Sequence, residues 1–194
     1  MNSTSYLLRS LAAAIAIALL TACSDSGTGE RVLVARPDGG DFVLQSAAGP
    51  VDTRALRGNV LLIYFGYINC PDICPVSMAA GAAALNALTP AERGKTRMIM
   101  ISVDPERDTP AKLKEYVAYF HPAMIGAVGT AAETAAIAKS FGVGYMRQPT
   151  RPDGGYAVDH SSQTFVIGPD GKLMELLPLG VATDKVVATV RKLL

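Results

Sequence analysis

The sequence has no tryptophan, only two histidines and only three cysteines in 194 residues. Three cysteines are too few for a small disulfide-stapled fold, so stability has to come from an ordinary apolar core. Charge of one sign is also missing. Eighteen basic side chains stand against 17 acidic ones, a formal net charge of +1. That balance leaves no electrostatic footprint for gripping nucleic acid. What is present is apolar: 49% of residues are hydrophobic, which excludes a disordered or collagen-like chain and suits one domain of ordinary size.

The N-terminus reads as an address. Arg9 is the only charged residue between Met1 and Cys23, and an apolar run from Leu11 to Leu20 precedes Thr21, Ala22 and Cys23. A basic start, a short apolar stretch and small residues describe a secretory signal over residues 1–22. The strict run falls well short of the roughly 20 residues of a spanning helix. Leu20-Thr21-Ala22-Cys23 resembles the lipobox of bacterial lipoproteins, although Thr21 departs from its usual small residues. The resemblance implies cleavage before Cys23, lipid on its sulfur, and a bacterial envelope lipoprotein facing the periplasm. The alternative is an uncleaved anchor helix reaching back to Tyr6. Residues 23–30 then form the lipidated cysteine and a flexible tether (Ser24 to Gly29 is Ser-Asp-Ser-Gly-Thr-Gly), and residues 31–194 the folded domain.

Within that domain, Val32 to Ala35 and Asp41 to Gln45 flank Pro37-Asp38-Gly39-Gly40, an expected N-terminal hairpin. Val60 to Tyr67 is a continuous apolar run suited to a strand buried on both faces. Helices are expected over Pro75–Leu88, Thr109–Phe120 with Thr109 as cap, Ala131–Phe141 stopped by Gly142, and Asp184–Leu194. Strands are expected at Arg97–Val103 and Ala123–Val128, and a second hairpin joins Gln163–Ile167 to Leu173–Leu177. Strands alternating with helices, then a hairpin and a helix, predict an α/β domain with a mixed central sheet, compatible with a thioredoxin-like arrangement.

The segment richest in chemistry is Cys70-Pro71-Asp72-Ile73-Cys74-Pro75, between the buried strand and the first helix. Sites in open α/β sheets are built at the carboxyl ends of strands. Cys74 falls beside a helix N-terminus, which predicts a lowered thiol pKa. A thiolate is both nucleophile and soft metal ligand, so the pair serves redox work or metal binding. A purely structural disulfide is the weaker reading, because so short a loop removes little unfolded-chain entropy. Of the two histidines, His121 ends a helix and reads as a cap for the last carbonyls. His160, after the glycine-containing loop Asp153-Gly154-Gly155, sits where loops deliver functional side chains. Two thiolates and an imidazole suit Cu(I), or Zn(II) if a fourth ligand or water joins. Met78 reads as core filling, and Tyr64, Phe65 and Tyr67 as strand-end packing, with Tyr67 as a lining residue of the site's mouth. Asp72 and Asp159 flank ligands and are candidates for steering them, against plain turn and loop roles. Asp104 to Thr109 either borders the site or caps the next helix.

Together, Tyr64-Phe65-Gly66-Tyr67, Cys70-Pro71-Asp72-Ile73-Cys74-Pro75, Ser102-Val103-Asp104-Pro105-Glu106-Arg107-Asp108-Thr109 and Val158-Asp159-His160 resemble the SCO/SenC family. Ile68 stands where relatives often carry threonine. The resemblance implies a thioredoxin-like fold, membrane tethering, and copper (Cu(I) first, Cu(II) second) held by Cys70, Cys74 and His160. It also implies a role as a copper chaperone in assembly of the dinuclear copper centre of cytochrome c oxidase. The partners it implies are the copper-accepting oxidase subunit, a second copper donor and a thioredoxin-like reductant. The alternative is a thiol–disulfide oxidoreductase acting on the oxidase or another extracytoplasmic protein. Against general oxidoreductase activity stand the three-residue spacing between the cysteines and the missing tryptophan before them. A peroxidase reading is weaker still: Gly66 to Asn69 replace the expected upstream threonine or serine.

Overall fold

The computed structural model describes residues 37–194. Its centre is β3 (Val60–Gly66), all seven residues of which are buried. Alternate side chains enter two separate apolar layers: Val60, Leu62 and Tyr64 on one face, Leu61, Ile63 and Phe65 on the other. This is why the run is continuously apolar and not alternating. With β4 (Thr96–Ser102), β5 (Ile125–Ala127), β8 (Thr164–Ile167) and β9 (Leu173–Leu177) it forms a five-stranded sheet in the order β5-β4-β3-β8-β9. β3 runs parallel to β4 and antiparallel to β8, so the sheet is mixed.

Helices α1 (Ile73–Ala87), α3 (Pro110–Phe120) and α5 (Thr183–Leu193) cover the first layer with Met78, Leu85, Leu113, Val117, Val187 and Val190. Helix α4 (Ala131–Ser140), the Phe141 that caps it and the N-terminal hairpin cover the second. This is the thioredoxin-like α/β arrangement, and Met78, with no exposed surface, is core as expected.

Several starts and stops follow from side-chain chemistry. Thr109 accepts a hydrogen bond from the Lys112 amide, and Thr130 and Glu133 form a reciprocal capping box on α4. Caps of this kind contribute about 1 kcal/mol each. A short helix not expected from the sequence, α2 (Pro90–Gly94), carries the same Thr-Pro start and a capping box from Thr89 and Glu92.

The N-terminal hairpin is present but lies further along the chain. It joins β1 (Val43–Ser46) to β2 (Gly49–Asp52) around Ala47 and Ala48. There the Ser46 hydroxyl donates to the Gly49 carbonyl at 2.7 Å and accepts the Ala48 amide at 3.2 Å, while Gly49 takes a φ of +109°. Pro37-Asp38-Gly39-Gly40 has turn composition but serves elsewhere, since the Gly39 amide donates to the Ser140 carbonyl at the end of α4. Val32 to Ala35, the signal segment, Cys23 and the tether lie outside the described residues. No helix among the described residues is long and apolar enough to cross a membrane.

A second ribbon is an addition to the expected elements. β6 (Tyr145–Arg147) pairs antiparallel with β7 (Val158–His160), matching Tyr145 with His160 and Met146 with Asp159. It forms a two-stranded sheet of its own.

Candidate metal centre

Cys70 comes from the β3–α1 connection, Cys74 from the first turn of α1, and His160 from the last position of β7. Their ligand atoms all lie within 4.8 Å of one another. No other histidine, cysteine or carboxylate among the described residues joins the group. The two cysteines are unbridged; Cys70 is half-buried and Cys74 fully buried. Cys74 belongs to the first apolar layer, whereas Cys70 packs against both.

The imidazole is oriented from both sides. His160 Nδ1 lies 2.9 Å from the Ser161 carbonyl, which accepts only a proton-bearing nitrogen. That fixes the proton on Nδ1 and turns the free lone pair of Nε2 toward Cys74 Sγ, 3.3 Å away. Tyr64 and Tyr67 meet the ring edge-on, with centroids at 6.1 and 5.7 Å. Burial lowers the His160 pKa, against the Ser161 and Phe65 carbonyls and the Asp159 charge, which favours the neutral ring that a metal ligand requires.

The expected activation of Cys74 does not occur. Burial pushes its thiol up to about 12, and the Tyr67 amide and Tyr64 hydroxyl offset this only in part. Desolvation in the apolar layer outweighs the helix N-terminus. Cys74 is therefore a poor nucleophile without a cation beside it, and half-buried Cys70 is the accessible sulfur. The helix start itself lacks a side-chain cap: Asp72 stands at the N-cap, exposed, and its carboxylate accepts no helix amide. Asp159 is exposed, accepts the Gln148 amide, and acts on His160 through its charge. His121 is a helix cap, with its backbone amide on the Val117 carbonyl. Its imidazole Nδ1 accepts the Ala123 amide at 3.1 Å and does not donate to the helix carbonyls as expected.

The segment after β4 does more than cap α3. Buried Asp108 accepts the Ser102 hydroxyl at 2.7 Å and the Ile68 amide at 3.2 Å, which anchors the cysteine loop. Asp104 accepts the Tyr156 hydroxyl at 2.7 Å and pairs with Arg107. Arg107 in turn donates to the Tyr156 carbonyl at 3.0 Å and stacks 3.6 Å over its ring, which anchors the loop leading to His160. One segment thus secures both halves of the site. The sequence offers a signal for it: a dense run of acidic and basic residues directly after a strand whose carboxyl end faces the site. Tyr67 lines an open cleft there with Asn69, Pro71 and Arg107.

Three donors of two soft sulfurs and one imidazole, with no fourth side chain in reach among the described residues, suit copper better than a tetrahedral zinc site.

Comparison with known proteins identifies the relatives of this chain. The SCO1/SenC family model matches residues 33–194. Protein SCO2 homolog, mitochondrial, of Bos taurus is 36% identical over 156 residues, covering 79% of this chain. The chain spans only 58% of that protein's own length. The structure of Bradyrhizobium japonicum ScoI with copper bound superposes with a TM-score of 0.75 at 35% identity, over 81% of this chain and 99% of that one. BsSco, a member of the Sco family of cytochrome c oxidase assembly proteins with an identified disulfide switch, gives a TM-score of 0.64 at 29% identity, over 81% of this chain and 94% of that one. On the extent of the family match and on these relatives, the chain belongs to the SCO1/SenC family.

Proposed function

We propose that this protein carries Cu(I) on Cys70, Cys74 and His160 and delivers it in assembly of the dinuclear copper centre of cytochrome c oxidase. The observation that carries the reading is the convergence of three donor atoms within 4.8 Å from two segments far apart in the chain. Loading requires the reduced pair, because the ligands are thiolates and a Cys70–Cys74 disulfide offers none. Asp159 supports the imidazole by its charge, whereas Asp72 acts as a turn residue. The half-buried sulfur of Cys70 gives the acceptor a point of attack for ligand exchange. The protein works from the outer side of a membrane, tethered through lipid on Cys23. Its partners are a copper-accepting oxidase subunit, a copper donor and a thiol reductant.

Anaerobic titration of the reduced full chain in detergent against a Cu(I) chelator tests the core of this reading. Near-stoichiometric uptake, with two sulfur neighbours and one nitrogen by X-ray absorption, is expected. Tight uptake retained in full by His160→Ala rejects the three-ligand site. Labelled fatty acid incorporated by the unaltered chain and lost in Cys23→Ser tests the tether.

A second reading rests on the free, adjacent and unequally exposed cysteines: a thiol–disulfide oxidoreductase in which Cys70 attacks and Cys74 resolves. Turnover of a disulfide substrate by copper-free protein, undisturbed by His160→Ala, would favour it.

A further inference from the structure

The side chain at position 64 is not what its surroundings call for. Val60 and Leu62 share its face of β3, and Tyr64 itself has no exposed surface. Phenylalanine would fill such a position, and a buried hydroxyl is unfavourable there unless it finds a partner. The hydroxyl donates to the sulfur of Cys74 at 3.7 Å, with the Ser77 hydroxyl also beside it. The approach is built in. A Cβ on Gly66 would lie 2.7 Å from Cys74 Sγ and 2.8 Å from Tyr64 Cε1, so the strand end carries no side chain at the point where ring and sulfur meet. The same ring also meets His160 edge-on. Tyr116 provides the contrast: its hydroxyl, on the same apolar layer, is buried with no hydrogen-bond partner.

We propose that Tyr64 is a positioning residue whose hydroxyl donates to the Cys74 sulfur and stabilises it in its electron-rich, copper-ligating form. The inference deepens the copper-carrying reading and rests on it. A hydrogen bond to a charged acceptor is roughly twice as strong as one between neutral groups. Donors of this kind outside the ligand set tune a metal's affinity by orienting and polarising its ligands. The bond strengthens as Cys74 gains thiolate character on a cuprous ion. It weakens when the pair is oxidised, because a disulfide sulfur is a poorer acceptor. In that oxidation the dithiol gives two electrons and two protons to oxidised dithiothreitol, whose ring S–S bond breaks to the dithiol as the Cys70–Cys74 bond forms.

The test compares Tyr64→Phe, Tyr116→Phe and the unaltered full chain in detergent. Two equilibria are read: Cu(I) competition with bathocuproine disulfonate, and the dithiol–disulfide balance in a dithiothreitol redox buffer. Tyr64→Phe is expected to weaken copper binding three- to tenfold and to shift the balance toward disulfide by a similar factor, tenfold corresponding to about 30 mV. Tyr116→Phe, which removes a hydroxyl that bonds to nothing, is expected to leave both unchanged. Tyr64→Phe within twofold of the unaltered chain on both readouts, or Tyr116→Phe shifting as far, overturns the proposal. If the unaltered chain takes up no copper, the copper reading fails and the thiol balance alone decides the role of Tyr64. Should Tyr64→Phe not fold, the Tyr64 hydroxyl proton of the unaltered chain decides: a downfield shift on Cu(I) loading supports donation to sulfur, and an unmoved resonance overturns it.

Discussion

The amide of Val158 donates to the hydroxyl of Tyr67 at 3.2 Å, a bond that closes a separation of 91 residues. Tyr67 opens the loop that carries the cysteines, and Val158 opens the strand that ends in His160. The bond therefore ties the two halves of the ligand set directly. Tyr67→Phe leaves a buried amide unpaired, at about 1–3 kcal/mol. Urea unfolding should show that loss, and amide exchange at Val158 should accelerate in the native state. Under the proposed copper-carrying function, affinity for Cu(I) should fall, but by less than in His160→Ala, because the proposed ligand itself remains.

Gly66 is the point where the strand end comes closest to the Cys74 sulfur. A methyl group there lies 2.7 Å from Cys74 Sγ and 3.3 Å from Met100 Cε. Gly66→Ala is expected to cost about 1–3 kcal/mol through overpacking and to displace the sulfur. Gly94→Ala, at the end of α2, meets nothing within 4 Å and is expected to be neutral or slightly stabilising. Thermal unfolding of the two variants side by side distinguishes a local clash from a general intolerance of alanine.

The burial of Cys74 has a pH signature. Its ordinary pKa is 9.0 and the folded value is about 12, so the folded chain keeps its proton where the unfolded chain has lost it. Stability from this group is complete below about 9 and falls as pH rises toward 12. In native, reduced, metal-free protein, iodoacetamide at neutral pH should therefore label Cys70 first. Labelling of Cys74 should need unfolding, and mass spectrometry of the digested protein checks the order.

Asp108 has a raised pKa because burial disfavours its charge, against hydrogen bonds from Ser102 and the Ile68 amide. The folded state binds this proton more tightly than the unfolded one. Its contribution to stability is thus complete below the ordinary value of 3.8 and declines as pH rises through the raised value. Asp108→Asn keeps an oxygen for Ser102 and Ile68 and carries no charge to desolvate. It should be at least as stable as the unaltered protein at pH 7 and lose that pH dependence, whereas Asp108→Ala should destabilise and loosen the cysteine loop. Urea titrations at acidic and neutral pH separate the two.

The parts legible in the sequence are those encoded locally. The run from Val60 announces a strand buried on both faces, and Thr109-Pro110 announces a helix start, because each depends on neighbours in the chain. The cysteine spacing and the placing of His160 after a loop are readable for the same reason. The β6–β7 ribbon is not: Tyr145–Arg147 and Val158–His160 are too short to show a period, and each exists only by pairing with the other. The first hairpin is displaced from its expected position because Gly39 has turn chemistry that is used at the end of α4. The state of Cys74 differs from expectation because a helix N-terminus is visible in sequence, while the apolar layer that buries it is assembled from several other elements. The hydroxyl of Tyr64 reads as packing, since its acceptor lies ten positions away across a loop.

The ribbon bearing the imidazole shares no strand with the five-stranded sheet. Val158 and Tyr145 nonetheless pack into the second apolar layer, and the Val158 bond to Tyr67 and the Arg107 contacts on Tyr156 tie the ribbon to the frame. Opening at this edge therefore has to break those ties together with the ribbon's own pairs. The nitrogen arm is thus held by a few ties that single substitutions can cut, whereas Cys74 is rooted in the core itself.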